Sequence, residues 1–319
     1  MIVIPRDSHC RRHWPRLAPS IFWILAVLAS VVFPDERSLC TSMLVMVLFA
    51  MSLDLVVGYA GVVTLGHSVF FGIGAYAAAL LSTYGWHEAL SGALAAGCIA
   101  GLVALLCGPF VLRFKGLPLI MMTFALNALA YEAANQATSI TGGDDGLTSF
   151  TFDPIFGLFD WTISGKTQFY YALAVLFALF VLMRLVVNSP FGLALKGIRE
   201  NRERMRLVGA PMMGQLVVAY GLSGCMAGIA GAIACQTTGF VGLGTLSPEA
   251  SIDVLVMLAI GGIGDLYGAF IGVPLYMIVR HTASNWNPYH WLFFMGVLLI
   301  AVRYSNGGLL GLLKARRTQ

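Results

Sequence analysis

Val57-Gly58-Tyr59-Ala60-Gly61-Val62-Val63-Thr64-Leu65-Gly66-His67-Ser68 interrupts two long apolar runs with three glycines, a threonine, a histidine and a serine. In lipid, non-helical backbone is tolerated only where protein buries it or where it lines a cavity. The stretch therefore has two readings. One is a broken helix whose freed N–H or C=O groups meet a solute's carboxylate or ammonium. The other is a re-entrant turn packed against a neighbouring subunit.

The surrounding composition makes lipid the solvent. Of the 319 residues, 58% are hydrophobic and only 11% charged, against about 25% charged in a soluble domain, and mean hydropathy is +0.82. A bilayer core needs about 20 mostly apolar helical residues. Such runs lie near 20–34, 39–57, 69–86, 89–112, 117–137, 168–188, 215–235, 250–264, 266–283 and 288–303. The expected fold is an all-α polytopic bundle forming one transmembrane domain over 1–319. It has about ten spans, or eight or nine if the short first and eighth runs do not cross. Barrel strands would alternate and be shorter.

Lysine and arginine set the orientation. With ten spans, all of the 19 cations except Arg37, Lys166 and Arg280 fall on the side of both termini, which is therefore read as cytoplasmic. Residues 1–19 form a basic cytoplasmic tail, and the first span reads as a retained anchor because no small-residue cleavage pattern follows it. Two loops are long: 138–167 outside and 189–211 inside.

Several motifs are decoys. Gly72-Ile73-Gly74 lies in an apolar span with no strand before it, and Gly165-Lys166-Thr167 has Asp160 where a phosphate loop needs its first glycine. His9-Cys10-Arg11-Arg12-His13 mixes ligand types with arginines that repel a cation, so it reads as a solvated tail. The six cysteines form no CxxC pair and read as small apolar residues. No nucleotide, metal or nucleophile site is expected in this chain. Gly97–Gly101, Gly224–Gly228 and Gly264, Gly268, Gly272 recur every fourth residue, a spacing that lets helix backbones approach.

Charges at membrane depth cost roughly 2.5–3.5 kcal/mol each and face protein or water. Asp54, Glu132 and Asp253 are such groups, each with a functional reading and an interfacial one. The candidate solute pathway comprises Asp54, Tyr59, Thr64, His67, Ser68, Asn127 and Glu132. Residues 189–211 read as one short amphipathic helix, capped by Ser189, opened by Pro190 and ended by Gly209 and Pro211. Leu193, Ile198, Leu207 and Val208 are its apolar contacts. The helix either lies on anionic lipid or docks into a soluble partner.

Taken together, LDLVVGYAGVVTLGHSVFFGIGAYAAA (53–79), TGGDDGL (141–147), SPFGLALKGIREN (189–201) with Gly209, and GGIGDLYGAFIG (261–272) carry a resemblance. The chain resembles the LivM-type permease subunits of ATP-binding-cassette importers for branched-chain amino acids, and urea-importer permeases look similar. The resemblance implies a multi-pass subunit of a bacterial inner membrane, working with a second homologous permease, two cytoplasmic ATPases that bind ATP and Mg, and an extracytoplasmic binding protein. It implies that 189–211 is the coupling helix, with Gly192, Lys196, Arg199, Glu200, Asn201, Glu203 and Gly209 facing the ATPase. It also implies that Thr141, Gly142, Gly143, Asp144 and Asp145 face the binding protein. Asp54 and Val62 stand where the family usually has asparagine and glutamine, and Arg202, Glu203, Arg204 and Met205 replace its usual Glu-x-Ala-Ala.

The competing class is a proton-driven carrier using Asp54, His67 and Glu132 as a relay. A membrane enzyme or nucleic-acid module finds no support in the residues. The charge asymmetry makes one expectation direct. A cysteine replacing Arg204 should react with an impermeant maleimide in inside-out vesicles and stay unlabelled in right-side-out ones; the reverse pattern overturns the orientation.

Overall fold

The computed structural model describes residues 36–148, 150–154 and 165–286, together with residues 22–23, 26–28, 30 and 296. Helix α1, Arg37–Asp54, runs directly into a π-helical turn, Leu55–Tyr59. The helices that follow are α2 (His67–Thr83), α3 (Ala89–Val111), α4 (Leu117–Gln136), α5 (Lys166–Asn188), α6 (Pro190–Glu200), α7 (Arg202–Leu207), α8 (Met212–Thr238), α9 (Pro248–Gly261) and α10 (Gly268–Trp286). Among the described residues the only β pairing is a bridge between Leu147 and Val241.

Five segments are long and apolar enough to cross a membrane: Arg37–Tyr59, Ala89–Val111, Leu117–Gln136, Lys166–Asn188 and Met212–Thr238. They coincide with the expected spans at 39–57, 89–112, 117–137, 168–188 and 215–235. The expected spans at 69–86, 250–264 and 266–283 correspond to α2, α9 and α10, of 17, 14 and 19 residues. The expected tail 1–19, the expected span 288–303 but for residue 296, most of the expected span 20–34, and residues 155–164 of the expected outer loop lie outside the described residues. From the first run, the Phe22 and Trp23 rings pack edge-on against Phe270, and Trp23 also against Phe177 and Phe180.

Helices α1 and α8 are the axis of the bundle. In each, 78% of the apolar window is buried, against 22% for α4 at the rim. Their contacts rest on small residues, because lipid offers apolar side chains as good a solvent as a neighbouring helix does. Close backbone approach then supplies the packing energy. A Cβ on Gly74 of α2 would enter the backbone of Gly228 on α8, and one on Gly228 would strike Ala100 of α3. Gly101 would meet Cys225 Cβ at 2.9 Å and Gly224 would meet Ala104 Cβ at 2.5 Å. The expected fourfold spacings on α3 and α8 thus mark one shared seam. In the third series, Gly268 and Gly272 seat α10 against α9, whereas Gly264 lies in the turn between them with φ +87°. Cys40, Cys98, Cys107, Cys225 and Cys235 are free thiols.

Replacing Gly228 by leucine should destabilise the protein by about 1–3 kcal/mol or more, as overpacking does, seen as a lower melting temperature in detergent. Gly214→Ala, where the added methyl meets nothing within 4 Å, should leave that temperature unchanged or slightly raised.

Candidate translocation and coupling site

The interruption begins inside α1. After Asp54 the hydrogen bonds widen: Ala60 N–H reaches the Leu55 carbonyl at 3.2 Å and Val62 N–H the Val56 carbonyl at 3.0 Å. Gly61 then turns the chain at φ +69°. Such π-bulges are frequent at functional sites. Helix α2 begins at His67, so residues 60–66 need other hydrogen-bond partners.

Helix α4 provides them from two residues one turn apart. Thr123 Oγ1 accepts Leu65 N–H at 3.1 Å, and Asn127 Nδ2 donates to the Leu65 carbonyl at 3.0 Å. Thr64 Oγ1 accepts Gly66 N–H at 3.2 Å. Asn127 also donates to Ser68 Oγ at 2.8 Å and Ser251 Oγ at 3.1 Å. Ser68 N–H in turn reaches Ser251 Oγ at 2.9 Å, and Ser68 Oγ donates to the Ser247 carbonyl at 2.9 Å. This cluster joins α2, α4 and the start of α9 with neutral groups, and Asn127 Oδ1 has no hydrogen-bond partner.

A second cluster surrounds His67, which is wholly buried. Its Nε2 lies 2.9 Å from Ser52 Oγ and 3.2 Å from Ser223 Oγ. Ser52 gives its proton to the Phe49 carbonyl at 2.7 Å, and Ser223 gives its own to the Ser52 carbonyl at 2.5 Å. Both hydroxyl protons are therefore committed, which assigns the N–H to Nε2 and leaves Nδ1 bare and without a partner. The imidazole stacks on Phe49 with centroids 5.6 Å apart.

The third assembly ties the break to the loop after α5. Buried Asp54 accepts Gly264 N–H on Oδ1 at 2.7 Å. Arg199 of α6 donates to the Gly58 carbonyl, and Lys196 Nζ sits over the buried Tyr59 ring, 5.4 Å from its centroid. Ser189 caps α6 by accepting Gly192 N–H at 3.4 Å, with Pro190 in the first turn as expected.

The expected single helix over 189–211 is in fact two. Asn201 takes an extended conformation (φ −155°, ψ 100°) and its side chain accepts Arg204 N–H at 2.9 Å, ending α6 and capping α7. The buried face of α6 is Gly192, Leu195 and Ile198. Of the expected apolar contacts only Ile198 is inside; Leu193, Leu207 and Val208 are 62%, 89% and 77% exposed. The amphipathic pattern selected the right segment but assumed one continuous helical face, which the break at Asn201 removes. Glu200, Glu203 and Gly209 are exposed, and Gly209 turns the chain at φ +82°.

Glu132 does not join these clusters: it is exposed on α4 and accepts from Gln136 at 2.9 Å. Asp253 binds Arg280 at 3.0 Å and Tyr276 at 2.7 Å, joining α9 to α10. In the loop expected outside, Thr141 Oγ1 donates to the Ala134 and Ala137 carbonyls at 2.6 and 2.9 Å and accepts Gly143 N–H at 3.2 Å. Gly142 and Gly143 adopt positive φ, and Asp144 and Asp145 project into solvent. Sequence reading missed Ser52, Thr123, Ser223 and Ser251, since lone hydroxyls in apolar helices are common, and it assigned Gly264 to packing alone.

A helical bundle of membrane-crossing length, broken at one polar segment and gripped there by a charged helix, has the architecture of a transport permease. The chain belongs to the branched-chain amino acid transport system permease component family, whose model matches residues 37–303. It is 27% identical to the high-affinity branched-chain amino acid transport system permease protein LivM of Escherichia coli (strain K12), over 91% of this chain and 74% of that protein. The LivM of Salmonella typhimurium is 26% identical over the same shares. The autoinducer 2 import system permease protein LsrC of Escherichia coli O9:H4 (strain HS) is 26% identical over 39% of each chain. No solved structure matches the chain.

Replacing Asn127 by leucine removes the two amide protons shared among Leu65, Ser68 and Ser251 and should destabilise the protein by about 2–4 kcal/mol. Hydrogen exchange should quicken first at residues 65–68 and leave the α3–α8 seam protected.

Proposed function

We propose that this chain is the permease subunit of an ATP-driven importer for branched-chain amino acids in a bacterial inner membrane. The observation that carries the reading is family membership joined to the grip of α6 on the π-turn of α1. The subunit crosses the membrane about ten times with both termini inside. It works with a second homologous permease, two cytoplasmic ATPases that bind ATP and Mg, and an extracytoplasmic binding protein that meets the 138–167 loop.

In this reading, closure of the ATPase pair displaces α6 and α7, whose exposed Leu207 and Val208 offer an apolar contact to a soluble partner. The movement reaches the break at 55–66, and the helices around it alternate between outward and inward openings. Leucine, isoleucine or valine passes the neutral hydroxyl and amide groups near Ser68 and Asn127. Those groups suit a solute that must be released as readily as it is received, and the two states must contact it differently for transport to proceed.

The test is reconstitution. Vesicles holding this chain with its companion permease, ATPases and leucine-loaded binding protein should accumulate labelled leucine only with ATP. Labelled urea should not accumulate, and the chain alone should accumulate neither under a pH gradient. Uphill uptake by the isolated chain would overturn the proposal in favour of a proton-driven carrier.

A further inference from the structure

Asp54 occupies an unusual position for a pathway carboxylate. It is 1% exposed, and its one hydrogen bond goes to the backbone of a distant turn, at Gly264. The geometry around that bond links four groups. A Cβ on Gly58 would enter Asp54 Oδ1 and lie 2.6 Å from Gly264 N, so the π-turn and the 262–267 turn touch through bare backbone. A Cβ on Gly264 would strike the Arg199 guanidinium, and one on Gly61 would lie 2.9 Å from Arg199 Cγ. Arg199 thus emerges from α6 into a slot walled by Gly58, Gly61 and Gly264, where it donates to the Gly58 carbonyl. The carboxylate holds one wall of that slot in place.

We infer that Asp54 is a positioning residue for coupling: by fixing the Gly264 amide it closes the slot on Arg199, so that displacement of α6 is delivered to both backbone breaks together. The inference rests on the coupled-transport reading above and adds a specific latch to it. The arrangement requires an acceptor oxygen at Asp54 and no side chain at Gly58 or Gly264. It predicts that α6, the π-turn and the 262–267 turn move as one body. Asp54 is buried and the Gly264 turn half-buried, so losing the acceptor leaves the Gly264 amide without its protein partner. The turn carrying Gly264 is then free to part from α1, and the slot opens.

The test uses the complete transporter in vesicles and two readouts. The first is leucine taken up per ATP hydrolysed. In Asp54→Ala it should fall by about tenfold, the consequence of one lost hydrogen bond, whereas Asp54→Asn, which keeps an oxygen for Gly264, should stay within about twofold. The second readout is independent of cargo. Nitroxide labels at Leu193 on α6 and Val63 beside the break, both exposed, should keep one separation in the nucleotide-free and ATP-trapped states of the native latch. In Asp54→Ala the separation should change with nucleotide. If Asp54→Ala does not assemble, Arg199→Gln, a change on the cytoplasmic helix, is read by the same two measures. An unchanged uptake ratio in the disabling variant overturns the latch. So does a rise in the leucine concentration for half-maximal uptake with label separation constant, the signature of a direct solute contact. If the native complex moves no leucine, the functional reading fails, and label separation alone decides the latch: constancy in the disabled variant overturns it.

Discussion

Backbone amides inside a membrane must find partners, and the stretch after Asp54 has abandoned the helical ones. Where those bonds go organises the rest of the molecule. Thr123 and Asn127 receive Leu65 from α4, and Arg199 takes the Gly58 carbonyl from α6. Asp54, just before the opening, takes the amide of Gly264. Three separate elements are thereby drawn to one segment by the need to satisfy a handful of peptide groups. A continuous helix here would have offered Arg199 of α6 no free carbonyl to hold.

The seam of α2, α3 and α8 provides the stiff complement to that opening. Its glycines and alanines bring backbones together so closely that a single added methyl would collide at Gly74, Gly97 or Gly228. Packing of this kind is either made or broken, with little compliance between. The hydroxyl clusters behave differently. Ser68, Ser251 and Asn127 exchange short neutral hydrogen bonds, and such partners can be traded as helices shift without uncovering a charge. The bundle therefore combines a rigid spine with a polar, re-pairable region beside the break, which suits alternating states.

Much of this was legible in the residues. Five apolar runs became helices long enough to cross a membrane, because a stretch of that length in lipid has no alternative to internal hydrogen bonding. The glycine spacing located the α3–α8 seam, and Ser189-Pro190 located the start of α6. The break at 57–68 announced itself by its glycines. What stayed hidden was tertiary. Nothing local to Gly264 shows that its amide belongs to Asp54, more than two hundred residues earlier in the chain. Lone serines in apolar runs carry no pattern that would pair Ser52 and Ser223 with His67. The amphipathic signal in 189–211 gave no sign that Asn201 would prefer to cap a new helix, because a side chain that bonds its own backbone competes with helix continuation. Of the two readings open for Glu132, a pathway group or a solvated carboxylate near a span end, its exposure on α4 fits the second.

One small feature of the acidic loop after α4 has its own consequence. The antiparallel bridge between Leu147 and Val241, with bonds of 2.8 and 3.1 Å, splices the loop after α4 to the end of α8. Anything that settles on Asp144 and Asp145 leans, through that splice, on one of the two most deeply buried helices of the bundle. Because α6 also packs against α8, the acidic loop and the charged helix bear on a common mast.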